Sequence, residues 1–173
     1  MIGLERNGDV VRMASYAPLF AHTDGWQWRP DLIWVDNLQS YGTPNYYVQK
    51  LFANNAGDLI LPVNLDAPSG AKLFASATRV NTSGETILKV VNGGEMPATV
   101  RLDFGRAKNI ASKVKVFTLT SGSLKDENSF SEPQKVAPKE SMVKINGPQF
   151  THTFSANSLM VLRLGTSTRQ AAK

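Results

Sequence analysis

The residues best suited to chemistry crowd into the first third of the chain. All three Trp (26, 28, 34), all four Tyr (16, 41, 46, 47), Asp36 and Asn37 lie before residue 55. Asp36-Asn37 follows the apolar run Leu32-Ile33-Trp34-Val35. Polar groups in that place sit where barrel enzymes put substrate contacts, at the carboxyl end of a buried strand. They equally suit an Asx turn that caps the strand. Trp26 and Trp28 offer flat amphipathic faces to a ligand, and would serve as well to pack the top of a fold. Other chemistries find little support. His22 and His152 are the sole histidines and stand far apart with no Cys nearby, whereas a metal centre needs about four ligands. No G-x-S-x-G occurs. Gly93-Gly94 reads as a turn, because no strand-Gly-helix context surrounds it. No cofactor is expected.

These residues need elements to hold them. Leu32–Val35 reads as a strand buried on both faces. Thr43-Pro44 is a helix start, with a capping hydroxyl and proline at the first helical position. Tyr47, Val48, Leu51 and Phe52 then share one helical face. Asn54-Asn55-Ala56-Gly57 stops the helix, as residues that tolerate a left-handed cap. Upstream, Asn7 is placed to cap a second helix through Val10, Val11, Ala14 and Ala17, which Pro18 ends. Glu5 is read as surface. The result is one β/α unit with no sheet of its own.

From residue 56 the pattern changes. Short runs recur between turn signals: 59–61, 73–80, 86–92, 98–104, 114–119, 142–145, 150–154 and 159–164, with a polar loop at 120–135. Val100, Leu102 and Phe104 alternate along one face. About eight strands with no helical period predict a mainly β chain, an antiparallel sandwich of jelly-roll type. Phe74, Phe104 and Phe117 are core candidates, and His152 is expected to face solvent. Aromatic usage supports a boundary near 54–58, since the second segment uses only Phe. The expected domains are thus 1–55, 56–165 and a frayed tail 166–173.

Composition narrows the partners. The chain has 173 residues, 42% hydrophobic and 19% charged, and no Cys. A whole (β/α)₈ barrel needs about 250 residues, so one does not fit. No apolar run reaches the roughly 20 residues of a membrane span. The first residues lack a basic start and apolar core, so they do not read as a leader. Compartment and homo-oligomerisation stay open. Net charge is +5. Residues 1–55 hold 4 Lys/Arg against 5 Asp/Glu, and residues 56–173 hold 15 against 9. A basic domain suggests nucleic acid, but Lys72, Lys89, Arg101, Arg106, Lys108, Lys113 and Lys115 are spread among apolar residues. That spacing predicts solvated strand faces and no nucleic-acid partner.

Two stretches carry a resemblance. G-L-E-R-N-G-D-V-V-R-M-A-S-Y-A-P-L-F-A (3–21) and P-D-L-I-W-V-D-N…Y-G-T-P-N-Y-Y-V-Q-K-L-F (30–52) resemble the C-terminal region of α-L-arabinofuranosidases of glycoside hydrolase family 51. E-N-S-F (127–130), P-Q-K-V-A-P (133–138) and N-S-L-M-V-L-R-L (157–164) are similar to the same region. The resemblance implies that residues 1–55 are the terminal helix-strand-helix unit of a (β/α)₈ barrel, with an appended sandwich. It implies a parent enzyme that removes terminal arabinofuranosyl groups from arabinose-containing polysaccharides with retention. Retention uses two carboxyls about 5–5.5 Å apart. The family carries them as glutamates on the fourth and seventh barrel strands, so both are expected upstream of Met1. No catalytic residue is then expected here, and the chain alone is expected to be inactive. The implied partners are the catalytic barrel and, through it, the polysaccharide. Trp28, Asp36 and Asn37 become candidate sugar contacts. A free-standing carbohydrate-binding sandwich is the alternative, against which the truncated barrel unit stands.

Overall fold

A computed structural model describes residues 1–105 and 110–166. Of the tail expected at 166–173, residues 167–173 lie outside the described residues, as do Arg106 and Lys108, whereas Thr166 is described and forms a bridge with Ile110. The elements in chain order are α1 (Ile2–Arg6), β1 (Phe20–His22), β2 (Ile33–Val35), β3 (Ser40–Gly42), α2 (Pro44–Asn54), β4 (Leu59–Leu61), β5 (Leu73–Arg79), β6 (Thr86–Asn92), β7 (Ala98–Asp103), β8 (Lys113–Leu119), β9 (Lys139–Lys144), β10 (Gln149–Phe154) and β11 (Ser158–Leu164). The chain is mainly β, as its patterning predicts.

The central layer is an antiparallel six-stranded sheet in the order β4-β5-β6-β11-β8-β9. On one face Ala75, Ala77, Leu88, Val90, Val114, Val116 and Leu162 form a core with Phe154, closed by Val100, Leu102 and Phe150 from the antiparallel pair β7–β10. This is the expected sandwich. On the other face Ile87, Leu119, Leu159 and Val161 pack against Ile2 of α1 and Leu51 and Phe52 of α2. Strands β6 and β11 are therefore covered on both sides. That explains why Leu159-Met160-Val161-Leu162 is one continuous buried run. Each such side chain contributes roughly 1.5–3 kcal/mol of burial.

Helix α2 starts as predicted. The Thr43 hydroxyl accepts from Tyr46 N at 3.3 Å, Pro44 is the first helical residue, and Tyr47, Val48, Leu51 and Phe52 face the core. Its end differs. Asn55 has φ −126°, not a left-handed conformation. Its Nδ2 donates to Leu51 O at 2.8 Å and its Oδ1 accepts from Arg163 Nη1 at 3.2 Å, so the side chain caps the helix end and ties it to β11. Gly57 is needed for close approach: a Cβ there would lie 2.8 Å from Arg79 O.

The upstream helix is displaced. It spans Ile2–Arg6, and Asn7 caps its end, donating from Nδ2 to Gly3 O at 2.7 Å. No helix follows Asn7. Val10 and Met13 are 75% and 89% exposed, so the apolar spacing there has no surface to cover. The β/α unit also has a small sheet after all, in the order β1-β2-β3, with β1 parallel and β3 antiparallel to β2. Three-residue strands are too short to show a period.

Four side chains depart from expectation. Lys89 is fully buried and Glu5 nearly so, and the two form an ion pair across the seam between α1 and β6. Lys89 shares its strand face with Ile87 and Val91, the face under the helices. Phe74 is exposed, although it lies with Ser76 and Thr78 on that same face. His152 points inward, since a period of two puts it on the face of Phe150 and Phe154. Its ring meets Phe154 edge-on at 5.0 Å. Burial lowers its pKa.

Candidate functional site

Because β1 and β2 run parallel, their carboxyl ends emerge side by side. This brings His22, the last residue of β1, to Asn37, which lies two residues past β2: His22 Nε2 lies 3.3 Å from Asn37 Oδ1. The His22 Nδ1 accepts from Asp24 N at 3.2 Å, while the Asp24 carboxylate stays 4.0 Å away. An accepting Nδ1 leaves Nε2 as the protonated nitrogen, so His22 donates to Asn37. Asp36 adopts the turn geometry: its Oδ1 accepts from Leu38 N at 2.7 Å and Gln39 N at 2.6 Å.

The aromatic residues stand on the loop between β1 and β2. Trp34, from β2, is buried. Trp26 meets it edge-on at 5.7 Å and keeps 47% of its surface exposed. Trp28 is 57% exposed. The Arg29 guanidinium lies 4.9 Å from the Trp34 ring centre and 5.4 Å from that of Trp26. A cation above an indole face orders both groups. Arg29 also reaches Glu127 at 3.3 Å, on the long loop between β8 and β9.

That loop clasps the other side of the small sheet. Asn128 is buried; its Nδ2 donates to Gly42 O at 2.8 Å and to Val136 O at 3.0 Å, and its Oδ1 accepts from Val136 N at 2.7 Å. Phe130 packs edge-on against Tyr41 at 4.9 Å. Burial raises the Tyr41 pKa, with Arg29 opposing and Glu127 adding, so the phenol stays protonated. Gly42 has no room for a side chain, since a Cβ would sit 2.2 Å from the Tyr46 ring.

The structure thus sets Asn37 and Asp36 on one turn and the exposed indoles on the neighbouring loop. It adds His22, Arg29, Glu127 and Phe130, which spacing alone did not single out. The signal for the last two was the E-N-S-F stretch; for Arg29 it was its place directly after Trp28. Among the described residues no three His, Cys, Asp or Glu side chains gather as a metal set. The arrangement offers a polar turn at the carboxyl ends of β1 and β2 and two part-exposed indoles on the loop that joins them.

Comparison with known proteins adds the following. A family model described as the α-L-arabinofuranosidase C-terminal domain matches residues 1–158. Alpha-L-arabinofuranosidase 1 of Arabidopsis thaliana is 39% identical over 170 residues, which is 92% of this chain and 25% of that protein. The extracellular exo-alpha-L-arabinofuranosidase of Streptomyces chartreusis is 61% identical over 62 residues, 36% of this chain and 8% of that protein. Among solved structures, an arabinose-bound MgGH51 α-L-arabinofuranosidase superposes with a TM-score of 0.89 at 36% identity, over 96% of this chain and 26% of that one. The chain spans about a quarter of the length of such relatives.

Proposed function

Since the chain belongs to the family of α-L-arabinofuranosidase C-terminal domains, we propose that it is the non-catalytic end of such an enzyme. In this reading residues 1–55 close a (β/α)₈ barrel and residues 56–165 form a sandwich that braces it. The observation that carries the reading is the match of nearly the whole chain to about a quarter of the Arabidopsis thaliana enzyme and of the MgGH51 structure. The parent would release terminal α-L-arabinofuranosyl groups with retention, through glutamates on other barrel strands. Trp28, Asp36 and Asn37 would line the rim of its substrate site. Asp36 would act through the turn it holds and Asn37 through its bond with His22.

The brace role follows from the seam. The apolar contacts of α1 and α2 on the central sheet, the Glu5–Lys89 pair and the Asn128 clasp all join the first segment to the second. The sandwich lacks the means of a strong sugar platform. Phe104 and Phe150 stack on each other at 5.9 Å and both pack against the sandwich core. Its aromatic residues are Phe alone, without the polar edge of Trp or Tyr.

Calorimetric titration with arabinan and arabinoxylan oligosaccharides tests this against a free-standing carbohydrate-binding module. The brace reading expects dissociation constants weaker than roughly 0.1 mM, about 5.5 kcal/mol. Tighter binding that survives Trp28→Ala would favour the module.

A further inference from the structure

Asp31 is a buried residue, one of whose carboxylate oxygens has no donor. It is 3% exposed, and its Oδ2 has no hydrogen-bond partner among the described residues. Other buried polar groups of the molecule are answered: Lys89 by Glu5, Asn55 by Leu51 O and Arg163, Asn128 by Gly42 and Val136. Thr78 and His152 each leave one atom unanswered, but neither brings the charge of a carboxylate. A carboxylate withdrawn from water and left alone is the costliest of these cases.

Its position indicates what answers it. Asp31 lies just ahead of β2, at the amino end of the parallel pair and opposite the His22–Asn37 contact. The residues that follow it, Leu32 and Ile33, line an open groove with Leu19 and Phe52; Arg12 and Lys50 also line that groove, and Asp31 does not. Strand β1 is the edge of its sheet, so the sheet is open on that side. Among the described residues no cation lies within ion-pair distance of Asp31.

We propose that Asp31 is a docking point for a cationic side chain, arginine or lysine, on the segment of the parent enzyme that lies against the open edge of β1. The inference rests on the proposed function, which supplies a barrel neighbour for β1. It goes further in naming the residue and the chemistry of the contact. The amino-end face of a barrel serves stability and not catalysis, so the pair locks the barrel closed on the side away from the substrate.

The test compares melting temperatures of wild type, Asp31→Asn and Asp31→Leu in two proteins, this chain and the full-length enzyme. In this chain the carboxylate is a burden, and both substitutions leave the melting temperature unchanged or raise it. In the full-length enzyme Asp31→Leu strands the cation and lowers it by roughly 5 °C or more, with Asp31→Asn between. Should Asp31→Leu fail to fold there, Asp31→Asn carries the comparison. A loss in both proteins makes Asp31 an internal structural group and overturns the proposal. No loss in the full-length enzyme overturns it too. Turnover of an aryl α-L-arabinofuranoside by wild-type full-length enzyme reports on the proposed function separately, and an inactive enzyme leaves the melting comparison able to decide Asp31.

Discussion

The ammonium of Lys89 lies 2.5 Å from Glu5 Oε1, while Ser76 donates its hydroxyl to Glu5 Oε2 at 2.5 Å. One carboxylate from α1 thereby answers two strands of the central sheet, and the Phe52 ring of α2 lies 5.3 Å from the same ammonium. This is the tightest polar tie between the two segments.

Breaking it from one side should be severe. Glu5→Gln leaves Lys89 buried and unpaired, at an expected cost of about 3–5 kcal/mol in urea unfolding. The double variant Glu5→Leu with Lys89→Met should recover most of that loss. The pH dependence has a defined sign. Burial, opposed by Glu5, already lowers the Lys89 pKa below the ordinary 10.5. Without Glu5 it falls further, so the unfolded chain binds more protons than the folded one in the window below 10.5. Glu5→Gln should therefore regain stability as pH rises towards 10.5. A single variant as stable as wild type contradicts the pairing.

His152 gives a second pH signature. Its folded pKa is lowered by burial beneath the ordinary 6.5. The neutral ring is favoured in the fold, and stability falls as pH drops from 6.5 towards the lowered value. His152→Leu should flatten the stability profile in that window and leave it unchanged above. An unaltered slope would show that the ring is free to ionise.

Asn128 should matter to both segments. Asn128→Ala removes bonds to Gly42 O, Val136 O and Val136 N, and is expected to cost about 2–3 kcal/mol. Hydrogen exchange at the Val136 amide should accelerate. If it does not, the loop is held by its packing through Phe130 alone.

The helix cap is a smaller term. Thr43→Ala should cost about 1 kcal/mol and Thr43→Ser nearly nothing, by thermal or urea unfolding. The Thr43 hydroxyl also donates to Leu32 O at 3.0 Å, so a larger loss would mean that this second bond adds to the cap.

What the sequence disclosed follows the range of its signals. Alternation in Val100-Arg101-Leu102 and the Thr43-Pro44 start act over a few residues, and both appear in the structure as read. The burial of Lys89 was hidden because its partner is 84 residues away. Nothing near Lys89 distinguishes it from a solvated strand lysine. The His22–Asn37 contact needed the parallel pairing of two three-residue strands, which no period announces. The helix expected after Asn7 formed before it, since the same Asn side chain serves either end of a helix and tertiary cover decided the direction. For His152 the alternation itself was informative: positions 150, 152 and 154 share a face, and the structure puts all three inside.

The central claim is that this chain is a supporting part of a glycosidase and not a catalyst. The direct measurement is hydrolysis of an aryl α-L-arabinofuranoside by the purified chain beside the full-length enzyme. Turnover near an ordinary enzyme rate of about 10 per second is expected from the full-length enzyme, and none above background from the chain. Turnover by the chain within a few tens-fold of that rate would contradict the account.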